Sequence, residues 1–288
     1  MPDRTAVKSR GLPPMVYLYD GSFEGLLCCV YENYVSRQPV TDIVPIWEAQ
    51  ATLYAAREIE TNEANAARVY ASLEKKLGGE GRNLVTTAFL FGGEEKAMDI
   101  YRFIAMGYET GPTVSYMLGE EVVNRIHKMN RSITHEAHIL TGFVRFSQCD
   151  LEELPMLSAT AAPAYPVSAS GEPSRYRPAG ALAAVIEPKH NVLPLMSHHF
   201  CSRYPEERFI IFDKTNKQAL VYEPYKVSLV AMDNLELPPA EDEEALCQRL
   251  WKGYYASVSI KARENPKCRM AHMPKRLWKH ILEVQAQS

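Results

Sequence analysis

The chain has 288 residues, 46% of them hydrophobic and 23% charged, with a formal net charge of -3. That length carries a sizeable core in one large domain or two, and the composition excludes a disordered chain. A small negative charge excludes a wholly basic nucleic-acid binder, so any such contact rests on a local patch.

Six cysteines, Cys28, Cys29, Cys149, Cys201, Cys247 and Cys268, show no CxxC and no paired ligand spacing. This argues against a zinc ribbon or an iron-sulfur cluster and leaves reduced thiols as the expectation. No window approaches the roughly 20 apolar residues of a membrane span. The expected protein is cytoplasmic, with no membrane partner.

Residues 1–15 read as a disordered tail. MVYLYD then reads as a short strand, and DGS as a turn in which Ser22 caps a helix carrying Phe23, Leu26, Leu27, Val30 and Tyr34. Pro39 and Pro45 mark a loop. A second helix starts near Thr61, buries Val69, Leu73 and Leu77, and stops at Gly78-Gly79. Leu84, Ala88 and Phe91 define a short helix, and Met98, Tyr101, Ile104 and Tyr108 the next.

From Val122 to Phe146 the chain holds the densest information. Val122, Ile126, Met129, Ile133, Ala137 and Leu140 form one apolar stripe at helical spacing, while His127, Arg131, His135 and His138 gather on the opposite side. Gly142 is expected to end this helix and FVRF to begin a strand that sets Arg145 near the histidine face. Beyond it the period changes to that of strands: FVRFS, ALAAVIE, RFIIFD, QALVYE and KVSLVAM predict an antiparallel sheet, with a hairpin through DKTNKQ. LEELPMLSATAAPAYPVSASGEPSRYRPAG reads as a flexible insert at about 151–180. Pro238-Pro239 and the acidic run Glu241 to Glu244 open a last helix with Leu246, Leu250, Tyr254 and Val258 as its buried face.

The predicted fold class is α+β: a mainly helical part over 16–141 packed on an antiparallel sheet with a closing C-terminal helix over 142–288.

Several residues suit chemistry. His135 and His138 form an HxxH pair within reach of one metal, yet the spacing is not the HExxH of zinc proteases, and a solvated or interface face is the alternative. His198-His199 predicts one imidazole packed and one exposed, with an inward His199 meeting His138 as the functional alternative. Arg145, Lys189, His190 and Arg203 would complete an anion pocket there, against the plainer reading of surface ion pairs. Asp20 and Glu24 suit paired carboxylates, or a turn and a first helical turn. The C-terminal segment concentrates Lys261, Arg263, Lys267, Arg269, Lys275, Arg276 and Lys279 around Trp278. Such a patch neutralises phosphates while the ring stacks on a base, or forms a solvated tail held on the acidic run. No GxGxxG, Walker loop or GxSxG occurs, and no cofactor is expected.

YLYDGSFEGLL, EAHILTGFVRF, AVIEPKHNVLPLMSHHF, LWKGYYASVSIKARENP and MPKRLWKH together resemble a bacterial family described as DNA-metabolism or DNA-repair proteins, built on domain of unknown function 4130. The resemblance runs from Val16 to His280. It implies a role beside a radical-SAM protein acting on DNA, next to which members are encoded, and beside uracil-DNA glycosylase-like modules to which the same domain is fused. This chain lacks a CxxxCxxC cluster motif, which argues against radical chemistry of its own. The resemblance adds weight to His138, Arg145, Glu187, Asn191, His199 and Arg203. His135 lies just outside the matching block, and the insert departs from the compact family pattern.

The expected function is therefore in DNA metabolism or repair. Nucleic acid would bind Arg263, Lys267, Lys275, Arg276 and Trp278, and a nucleotide or phosphate group would bind near His138, Arg145, His199 and Arg203, with Asn191 and Glu187. In an enzyme, His138 or His199 would be the acid or base and Arg145 the phosphate or oxyanion partner. The alternatives are a non-enzymatic adaptor for the radical-SAM protein and a metal-dependent hydrolase using His135, His138 and His199.

Overall fold

The computed structural model describes residues 13–49, 54–150, 180–235 and 242–282. The expected tail, up to residue 12, and the expected insert, over 151–179, lie outside the described residues. The chain divides into two units, residues 1–133 and 134–288.

In the first unit, β1 (Met15–Tyr19) is the centre of a parallel sheet between β2 (Val40–Pro45) and β3 (Ala55–Glu58). A parallel pair needs a crossover, and α1 (Phe23–Ser36) supplies it between β1 and β2. The turn between β1 and α1 uses Gly21 at φ 72, and Ser22 accepts from the Gly25 amide at 2.9 Å to cap the helix. The stretch from Pro39 to Pro45, read as a loop, is largely strand. β2 is an edge strand, where one side of the backbone has no ladder to donate to, so proline is tolerated.

The two helices expected on either side of Gly78-Gly79 follow one another directly as the two segments of α2 (Glu63–Phe89), separated at Gly78, whose φ 75 and ψ 173 are not helical. Leu73 and Leu77 before the break and Leu84, Val85 and Ala88 after it are all buried, so both segments pack into the core. α3 (Lys96–Thr110) buries Ile100, Phe103 and Ile104 in the same cluster.

The boundary between the units falls inside α4 (Glu121–Phe143). Ile126, Met129, Ile133, Ala137 and Leu140 are buried, as the apolar stripe predicts. The helix ends at Phe143, one residue past Gly142, and the strand expected at FVRF begins only at Ser147. The Val144 amide still donates to the Leu140 carbonyl at 2.9 Å, because one glycine in a last turn costs only about 1 kcal/mol.

The second unit holds a five-stranded sheet in chain order: β4 (Ser147–Asp150), β5 (Gly180–Ile186), β6 (Phe209–Asp213), β7 (Gln218–Glu223) and β8 (Lys226–Ala231). The sheet is mixed, not wholly antiparallel. β5 and β6 are parallel, since α5 (Leu193–Arg203), a helix the strand-dominated reading overlooked, crosses over between them. β6 and β7 form the expected hairpin, and every residue of β6 is buried. The α+β class holds.

α6 (Asp242–Val258) starts within the expected acidic run, but its apolar face is not buried. Leu246, Leu250, Tyr254 and Val258 are 48%, 63%, 58% and 53% exposed. Helical periodicity shows that one face is apolar and says nothing of what covers it. α7 (Pro266–His272), capped by Asn265, and a 3-10 turn over Lys275–His280 follow, and Leu277 and Ile281 return to the interior. Among the described residues, no helix is long and apolar enough to cross a membrane.

Candidate functional site

The last turns of α4 turn Ala137 and Leu140 inward and leave His135 and His138 exposed. In α5, Leu193, Met196 and Phe200 take the buried face. His198 and His199 are consequently both exposed, in place of the packed and exposed pair read from the sequence, and Arg203 follows on the surface. Arg145, half-buried between α4 and β4, donates to the carbonyls of Gly142 at 3.0 Å and Val144 at 3.2 Å.

These side chains surround one open cavity of about 1030 Å³ in the second unit, lined by His135, His138, Arg145, His199, Arg203 and His272. No aspartate or glutamate lines it among the described residues. Its aromatic wall is cross-braced: Phe146 meets Phe200, Tyr204 and Phe209 edge-on at 5.6, 5.5 and 5.8 Å. The Arg203 guanidinium lies 5.7 Å from the centre of the Tyr204 ring, and Trp251 enters from α6. Two guanidiniums and four imidazoles with no carboxylate favour an anion, and the rings offer apolar faces beside it.

Glu187 and Asn191, expected beside this cavity, do not line it. Glu187 pairs with Lys279, with His280 at 3.4 Å and with Lys214 at 3.9 Å. The hydrogen bond from Lys279 holds its carboxyl below the ordinary range, while burial pushes the His280 imidazole down. Asn191 donates to the Gln218 side-chain oxygen at 3.1 Å.

The sequence reading missed two buried carboxylates of the second unit. Glu136 is buried and accepts from the amides of Lys189 at 3.0 Å and His190 at 2.9 Å, and from Arg276. Its spacing, three after Ile133 and four before Leu140, places it on the apolar stripe, which was the available signal. Asp213, wholly buried at the end of β6, accepts from the amides of Thr215 and Asn216, both at 3.0 Å, and from the Asn216 side chain at 2.6 Å. Burial pushes its carboxyl up to about 6. Asn216 also donates to the His190 carbonyl at 3.3 Å. The loop from Glu187 to Asn191 is thus held from two sides, and it leads into the helix that carries His199 and Arg203.

The C-terminal basic residues part company. Arg276 is committed to Glu136 and to the Glu187 carbonyl, and the Trp278 indole donates to the Met273 carbonyl at 3.0 Å. Lys275 lies exposed over the Trp278 ring at 5.8 Å, and Arg263 and Lys267 are exposed. Asp20 closes its turn by accepting from Ser22 and Thr61 at 2.6 and 2.7 Å. His127 contacts the Ser115 carbonyl at 2.8 Å. Among the described residues no group of three or more His, Cys, Asp or Glu is arranged to hold a metal ion, and so His135, His138 and His199 do not form one.

No match was found among curated proteins or among solved structures. A family model described as DUF4130, domain of unknown function, matches residues 94–171 and 174–283. The match takes in the cavity residues and both buried carboxylates, and leaves the YLYDGSFEGLL block outside. Covering well over half of the chain, it shows that this protein belongs to the DUF4130 family.

Proposed function

We propose that this chain is a DNA-metabolism or DNA-repair protein that binds nucleic acid or a nucleotide by its phosphate in the cavity of the second unit. The observation that carries the reading is the lining itself: His138, Arg145, His199 and Arg203 converge with no carboxylate among them. A phosphate has the charge such a lining selects, and a base has the apolar faces that suit Tyr204 and Trp251. Arg263, Lys267 and Lys275 extend the basic surface along the C-terminal segment. Action beside a radical-SAM enzyme rests on the sequence resemblance, and a chain without chemistry of its own would serve that enzyme as an adaptor.

Fluorescence anisotropy with a labelled DNA at low and high salt tests the proposal. Binding should weaken with salt and fall at least tenfold in Arg203→Glu, whose exposed side chain can be reversed without disturbing the core. Wild-type affinity in Arg203→Glu and Arg145→Glu would sink the phosphate site. No binding by the wild type would leave the adaptor reading, tested next by co-purification with the radical-SAM protein.

A further inference from the structure

We infer that the cavity takes single-stranded rather than duplex nucleic acid, stacking an unpaired base on Trp251 with the adjoining phosphate toward Arg203 and His199. This rests on the phosphate site proposed above. It adds which form of the strand that site accepts.

Trp251 belongs to two surfaces at once. It lines the carboxylate-free cavity, and it stands on the uncovered face of α6, where it remains 42% exposed. Tyr254, three residues on and 58% exposed, lies beside it with ring centres 5.9 Å apart and planes inclined by 31°. A pair of large rings at the rim of an anion cavity gives a base a flat apolar contact while cations reach its phosphate.

The occupant follows from charge and from which surfaces a nucleic acid presents. In a duplex the base faces are covered by their stacked neighbours, and only groove edges and phosphates are accessible. An unpaired strand presents both a face and a phosphate from each nucleotide, and stacking on an aromatic ring is tolerant of sequence because every base has such a face. The lining supplies the complementary charge with Arg203 and a ring N–H donor with His199, beside the aromatic wall built on Phe146, Phe200 and Tyr204. A cavity of about 1030 Å³ lies at the upper end of the roughly 300 to 1,000 Å³ of small-molecule pockets, leaving room for a nucleotide and part of the strand that continues from it.

The test compares labelled oligothymidylate with a duplex of the same length, by anisotropy and by quenching of tryptophan fluorescence. The single strand should bind at least tenfold more tightly and quench the emission. Trp251→Ala should lose about tenfold for the single strand and lose the quenching, and Trp251→Phe should restore most of the affinity. Tyr254→Ala, a separate exposed position, should weaken the single strand in the same direction. Equal salt-sensitive binding of both forms, with quenching unaltered in Trp251→Ala, would overturn this inference while leaving the phosphate site standing. Absence of binding to either form would overturn both.

Discussion

Glu136 and Arg276 stand 140 residues apart in the chain and form an ion pair in which the Glu136 side chain is 5% exposed and that of Arg276 30%. The same carboxylate accepts from the amides of Lys189 and His190. One buried charge therefore ties together α4, the loop that starts α5 and the C-terminal turn. Its donors compensate the loss of water, and removing one of them leaves a buried charge without its counterion.

Arg276→Ala should accordingly destabilise the protein by about 3 kcal/mol, at the lower end of the range for breaking a buried pair because the arginine keeps some solvent contact. Lys275→Ala, next to it but exposed, should change stability by no more than about 0.5 kcal/mol. Urea unfolding midpoints compare the two, and equal effects would refute the assignment. Arg276 is for the same reason an unsuitable position for testing nucleic-acid contact.

Asp213 and Glu187, both in the second unit, oppose one another in pH dependence. Asp213, with a folded pKa of about 6, contributes stability that is complete below its unfolded pKa of about 4 and is lost as pH rises through 6. Glu187 is held below its ordinary value, so its contribution is present above the unfolded pKa and is lost as pH falls through the lowered folded one. Asp213→Asn should gain in melting temperature relative to the wild type by several degrees as pH rises from about 4 to 7. Glu187→Gln should lose most at pH 7 and converge on the wild type in acid. A temperature difference independent of pH in either variant would contradict its assignment.

A Cβ on Gly107 would stand 2.5 Å from Cγ of Leu77, which is wholly buried. Gly107→Ala should therefore destabilise by about 1 to 2 kcal/mol, overpacking outweighing the helical gain of alanine. At Gly79, where nothing lies within 4 Å of such a Cβ, alanine should be neutral or stabilising by up to about 1 kcal/mol. Thermal melts of the pair decide it, and the opposite order would show that α2 and α3 do not pack through Gly107.

The exposed face of α6 yields a contrast between two leucines. Leu250 is 63% exposed and Leu277 is 2% exposed. Leu250→Ala should shift stability by no more than about 0.5 kcal/mol, and Leu277→Ala should remove about 2 to 5 kcal/mol. Chemical denaturation of both measures it; a large loss at Leu250 would mean that its face of α6 packs within the protein.

What the sequence determined by itself is local and periodic. The stripe from Ile126 to Leu140, the Ser22 cap, the hairpin through DKTNKQ and the α+β class follow from side-chain spacing and turn chemistry, which act within a few residues. It also singled out His138, Arg145, His199 and Arg203, which the tertiary structure brings to one cavity. Only the tertiary structure decided that Pro39 to Pro45 is largely strand, that β5 and β6 run parallel, and that the apolar face of α6 stays uncovered. An edge position tolerates proline in a strand, a crossover sets strand direction, and burial depends on what arrives from elsewhere in the chain. Glu136 shows the limit most plainly. Its stripe position was legible, but the donors that allow a carboxylate to be buried there come from Lys189, His190 and Arg276, and no local pattern names partners 53 to 140 residues away.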